Sequence, residues 1–178
     1  MTTTISALAA TAGLLLFVFA MLSAAVSDLT TYKIRNNLIL TLLLAYLVFA
    51  PIVGIPAQEI GRSAAVASAV LLLSFGFFVA GWIGGGDAKL AAVTTLWLGA
   101  DHALAYFVFL SLLGGVLAAI VFFCRRCPLP DRVANMSWIA RLRARAQGAE
   151  LPYGVALTLA GLCVLPSTPW VADMTWRI

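Results

Sequence analysis

The sequence predicts an all-α, polytopic membrane bundle of six transmembrane helices with both termini outside. Three observations predict it. Hydrophobic residues make up 63% of the chain and charged residues only 10%, against roughly half and a quarter in soluble domains, and the mean hydropathy is +1.04. The apolar residues gather into six blocks at or near the length that crosses a bilayer. The basic residues gather beside alternate breaks between those blocks, as the positive-inside rule requires. So little polar sequence is left over that residues 1–178 read as a single membrane-embedded domain, with a basic cytoplasmic loop at about 124–150.

The blocks run over residues 5–26, 38–55, 63–83, 90–100, 103–123 and 153–171. The first follows Met1-Thr2-Thr3-Thr4, which has no basic n-region, and it exceeds a usual signal-peptide core in length. It is expected to be a retained span. Five blocks are 18 to 22 residues long, enough at ~1.5 Å per residue to cross a core of roughly 30 Å. The fourth has 11 residues, or 14 counted from Asp87, and reaches only ~21 Å. Its helix is expected to begin below the headgroup surface or to sit where the bilayer is thinned. Pro166 and Pro169 predict a kink or fraying near the end of the sixth block.

Charge placement decides whether the short block spans. With six spans, Lys33, Arg35, Lys89, Arg125, Arg126, Arg132, Arg141, Arg143 and Arg145 share one side, which is nine of the eleven basic residues. Only Arg62 and Arg177 fall opposite. A re-entrant fourth block would move the Arg-rich segment outside, against the rule. The net charge of +4 is thereby explained by lipid headgroups and topology, so no nucleic-acid partner is expected. Within the basic segment, residues 137–147 read either as an interfacial amphipathic helix or as a plain basic loop. Trp82, Trp138, Trp170 and Trp176 fall at expected interfaces and read as belt anchors.

Two of the seven acidic residues, Asp28 and Asp87, stand at breaks in the apolar pattern. Two full-length blocks separate them, so both come out on the cytoplasmic side whatever the fourth block does. Carboxylates at membrane depth are costly and are the first candidates for chemistry. Asp87 follows Gly84-Gly85-Gly86, where missing Cβ atoms permit positive φ and close approach of a substrate backbone, and where a helix N-cap would favour an anion. A tight turn with an Asp cap, and an Asp28 paired with Lys33 or Arg35, are the plain structural readings of each residue alone. Together they make a different case. Two carboxyl groups sharing a site retain one proton, so the ionised member can activate water while the protonated member polarises a peptide carbonyl.

The surrounding residues carry a family pattern. Asp28 after the first span, Ile34-Arg35-Asn36, the Gly84-Gly85-Gly86-Asp87-Ala88-Lys89-Leu90 element and Leu151-Pro152-Tyr153-Gly154-Val155-Ala156 at the last block occur in order along essentially the whole chain. The sequence resembles the type IV prepilin peptidases, bacterial GxGD intramembrane aspartic proteases. The resemblance implies Asp28 and Asp87 as the catalytic pair and implies cleavage of prepilins after their short basic leader, at the cytoplasmic face of the inner membrane. It implies a prepilin substrate and surrounding lipid as partners, with Gly84, Gly85, Gly86, Lys89 and Asn36 shaping the site or meeting substrate. Lys89 can alternatively hold a lipid phosphate or simply anchor at the interface.

Two departures refine the resemblance. The family commonly has Pro where Arg35 stands. Its long members carry an N-terminal segment with paired CxxC elements linked to zinc and to N-methylation, whereas this chain begins almost directly with its first span, so it is closest to the short members serving Flp or Tad-type pili. No cofactor or metal is expected. Cys124 and Cys127 supply one CxxC only, a structural zinc site needs four ligands, and His102, the sole histidine, falls on the opposite side in a short external turn. Three cysteines, with Cys163 inside an apolar block, make no disulfide framework.

A small ion-coupled carrier using the two carboxylates is the competing class. Against it, both acids lie near one face, and no inverted repeat is visible. Presenilin-like proteases typically have Tyr before the first aspartate, where this chain has Ser27.

Overall fold

The computed structural model describes residues 2–126 and 152–171, and what it describes is helical with short connections. We number the helices α1 (Thr2–Thr31), α2 (Asn36–Val53), α3 (Ala57–Val79), α4 (Gly85–Leu98), α5 (Ala103–Arg126) and α6 (Tyr153–Val164). A 3-10 turn at Ala100–His102 joins α4 to α5, and another, Leu165–Ser167, follows α6. The basic segment beyond Arg126, including residues 137–147 and Trp138, lies outside the described residues, as do Cys127 and Trp176.

The helix α1 does not stop at the first apolar break. It continues to Thr31, with the Thr30 and Thr31 hydroxyls, which helix-breaking turns would otherwise use, donating back to the carbonyls of Val26 and Ser27 at 2.8 and 2.7 Å. Asp28 therefore sits in the last helical turn, not in a loop after the span. The helix ends at Tyr32, a non-glycine residue in the left-handed region (φ 54), whose N–H closes onto the Asp28 carbonyl at 2.9 Å. The helix α3 likewise starts earlier than its apolar block, at Ala57, so Glu59 and Arg62 are helical. Arg62 reaches across to Asp101 at 2.7 Å, with both side chains exposed, a contact worth little on its own.

Four helical segments, Thr4–Thr31, Asn36–Val53, Ala57–Val79 and Ala100–Phe123, are long and apolar enough to cross a membrane. Their outward faces are apolar as well: Phe19, Leu72 and Leu104 are 74%, 73% and 78% exposed, a surface suited to lipid and not to water. The chain is a membrane protein. The sixth block departs from its expected length. Only 12 residues, Tyr153–Val164, form the α-helix, since Pro166 in the following 3-10 turn has no N–H to continue the ladder.

The short helix α4 is the centre of the bundle. Ala88 and every residue from Leu90 to Leu98 are buried. The helices α2, α3, α5 and α6 pack on it, and α1 reaches it through Phe17 on Trp97 and Met21 on Thr94. A helix apolar on all sides belongs inside protein, and one that faces no lipid has no hydrophobic thickness to match. That explains how 14 residues suffice.

Around Trp97 the core is aromatic. Trp170 stacks on it with centroids 4.7 Å apart, and Phe17 and Tyr46 approach at 5.2 and 5.7 Å. Both indole N–H groups are satisfied, Trp97 by the Leu42 carbonyl at 2.9 Å and Trp170 by the Trp97 carbonyl at 2.8 Å. Trp170 is thus a core residue and not the interfacial anchor its position suggested. Trp82 is 72% exposed and lies on Phe77, as an anchor would. Truncating Trp97 to Ala should cost ~3–5 kcal/mol, read as a lowered thermal unfolding midpoint in detergent. Trp82→Ala should stay within about 0.5 kcal/mol of the parent.

Candidate functional site

The first turn of α6 presents backbone N–H groups that have no partner inside the helix. Its N-cap, Pro152, has no side chain able to accept them. Asp28, from the far end of α1, supplies the acceptor: the Gly154 N–H donates to Asp28 Oδ2 at 2.7 Å. A carboxylate at a helix N-terminus is also favoured by the helix dipole. Asp28 is 4% exposed. No pairing with Lys33 or Arg35 occurs; the ion pair among the described residues is Arg62 with Asp101.

Glycine at position 154 is dictated by this contact. A Cβ there would stand 2.8 Å from both Asp28 Cβ and Oδ2, a separation that real Cβ atoms do not tolerate. The residue was visible in the sequence only as part of a Pro-Tyr-Gly stretch. Its role as a donor to a residue 126 positions away was not.

Asp87 is the third residue of α4, and Gly84, not Asp87, is the N-cap. The carboxylate turns back to accept the Gly84 N–H, the reach of a capping-box residue. The glycine run does not use positive φ: the glycines with left-handed backbone are Gly54, Gly81 and Gly99. Room is what it supplies. A Cβ on Gly84 would lie 2.9 Å from Asp87 Oδ2, and one on Gly86 would lie 3.1 Å from Ile34 Cβ.

The Ile34-Arg35-Asn36 connection is fastened to this element at two points. Ile34 covers Gly86, and Lys89 Nζ donates to Asn36 Oδ1 at 3.1 Å, both side chains being exposed. Gly85 packs against Phe78 of α3. All seven site candidates therefore gather at one end of the bundle, where α1 finishes and α4 and α6 begin.

The Asp28 and Asp87 carboxylates are close enough to act on one another electrostatically. Asp87 also lines a cavity of about 370 Å³ together with Ser74, Ala91, Gly114, Tyr153 and Leu157, so a molecule lodged there meets one member of the pair. Two acidic groups so placed can divide general acid and general base duties at a bond presented between them. Among the described residues no group of three or more His, Cys, Asp or Glu side chains could hold a metal ion.

Residues 15–122, more than half of the chain, match the model of the type IV leader peptidase family. No curated protein and no solved structure matches the chain.

The Asp28 contact predicts a sharp response at position 154. Gly154→Ala should destabilise the protein by ~1–3 kcal/mol through overpacking, measured as a lower unfolding midpoint in detergent. Gly115→Ala, where an added Cβ meets nothing within 4 Å, should be close to neutral.

Proposed function

The chain belongs to the type IV leader peptidase family, and on that premise we propose that it is an intramembrane aspartic endopeptidase in which Asp28 and Asp87 form the catalytic dyad. The observation that carries this reading is the pair itself: two carboxylates in electrostatic reach of one another, one of them lining a cavity.

In this mechanism one carboxylate is ionised and the other protonated, as two acids sharing a site require. The ionised member takes a proton from a water molecule as the water oxygen bonds to the scissile carbonyl carbon. The protonated member donates a hydrogen bond to the carbonyl oxygen, where negative charge develops. Collapse of the tetrahedral intermediate breaks the C–N bond, and a carboxyl proton passes to the departing amine. The backbone donors hold the pair in place: Gly154 for Asp28, and Gly84 for Asp87. Gly85, Gly86, Asn36 and Lys89 keep the intervening loop against the start of α4.

The substrate is a prepilin of the Flp or Tad type, cut between its basic leader and its hydrophobic segment. The protein sits in the bacterial inner membrane with six spans, termini outside, and residues 124–150 as a basic cytoplasmic loop. Nine of eleven basic residues then lie on the cytoplasmic side, together with the end of the bundle that carries both aspartates.

The test is co-expression with such a prepilin, followed by N-terminal sequencing of the pilin. The parent protein should yield a pilin lacking its leader, and Asp87→Asn, still inserted in the membrane, should lower processing by about 10²–10⁴-fold, the range a positioned acid or base contributes. Undiminished processing by Asp87→Asn would remove the dyad from the account.

A further inference from the structure

The cavity at Asp87 lies between α3 and α5. The helix α3 packs on α4, and α5 packs on α6, but α3 and α5 have no extensive contact with one another. The gap between them is floored by Ala91 of α4 and Leu157 of α6 and has Asp87 at one end. Its depth follows from chain direction. Asp87 and Tyr153 open their helices, whereas Ala91 and Leu157 lie one turn further in. Ser74 on α3 stands at a similar distance from its helix end, and Ser111 on α5 lies further in again.

Along α5 the wall is formed by Ser111, Gly114, Gly115 and Ala118, spaced so that they share one face of the helix. Small residues in this pattern let a second helix or strand approach the backbone closely in lipid. A polar detail accompanies them. Ser74 is nine-tenths buried and faces the cavity. A peptide unwound near a scissile bond has backbone groups that water cannot satisfy at membrane depth, and such a hydroxyl answers one of them.

We propose that the cleft between α3 and α5 is the docking site for the hydrophobic segment of the substrate that follows the scissile bond, entering sideways from the lipid. This rests on Asp87 being catalytic. A cleft that runs inward from Asp87 takes the chain on the carboxyl side of the cut, because that is the part that continues into the membrane, while the basic leader stays outside it. A second apolar cavity, about 240 Å³ between α2, α3 and α4 with Lys89 at its edge, contains neither aspartate and serves as the control surface.

The experiment uses the full chain in proteoliposomes, in an Asp87→Asn background so that binding is read without cleavage. The probe is a fluorescent peptide carrying a prepilin leader and hydrophobic segment. Adding Gly115→Leu, which fills the cleft without a Cβ clash, should weaken binding by roughly 10- to 100-fold, the scale of a displaced substrate. Adding Ser68→Leu, in the control cavity, should leave it unchanged. Ala118→Leu repeats the first arm should Gly115→Leu fail to fold, as judged by its unfolding midpoint. Binding unaffected by either cleft variant, binding lost through Ser68→Leu, or no binding of the peptide at all would each overturn the proposal. Cleavage persisting in Asp87→Asn would instead overturn the catalytic reading and, with it, the assignment of the docked segment to the carboxyl side of the cut, even where the cleft variants weaken peptide binding.

Discussion

A carboxylate buried in a membrane bundle needs hydrogen-bond donors, and a buried helix start needs an acceptor. Asp28 and the first turn of α6 meet both needs at once. The 2.7 Å bond from the Gly154 N–H ties the end of the first helix to the start of the last described one, across nearly the full length of the sequence. Removing either partner strands the other in a setting where an unpaired polar group costs about 1–3 kcal/mol. The same bond sets the depth of Asp28 and allows only glycine at position 154.

The second constraint is the burial of α4. A helix enclosed by its neighbours can be short, and Asp87 in its first turn lines the same cavity as Tyr153 at the start of α6. Close packing then explains the glycines on both sides. Gly84 leaves space for the Asp87 carboxylate, Gly86 for Ile34, and Gly154 for Asp28. In the proposed reaction these contacts are the preorganisation. Neither carboxylate has to be gathered from a mobile loop when substrate arrives, since each is already bonded to the backbone at a helix N-terminus.

Much of this was legible in the sequence, for identifiable reasons. Apolar blocks in lipid announce themselves by composition, so the helical architecture and five of the block positions were readable within a few residues. The two aspartates stood out because charge is rare in such a chain, and span parity put them on one side. What composition cannot carry is tertiary contact. The helix α1 runs on through polar residues that looked like a loop, their hydroxyls turned back onto its own carbonyls. Trp170 was placed by hydropathy at an interface, but its stacking on Trp97 puts it in the core. The glycines of positions 84–86 suggested unusual φ angles, whereas the structure uses their lack of a Cβ. Gly154 had a local signal, a glycine just inside a helix start, with nothing to say which distant side chain it received.

The central claim is that Asp28 and Asp87 act as one unit. Its most direct measurement is the single-turnover cleavage rate of a prepilin by purified Asp28→Asn, Asp87→Asn and the double variant, each reconstituted in the same lipid. Groups that work as a unit are strongly non-additive. The account predicts that either single variant is as slow as the double, within a few fold. Multiplicative losses, or a single variant that retains most of the parent rate, would contradict it.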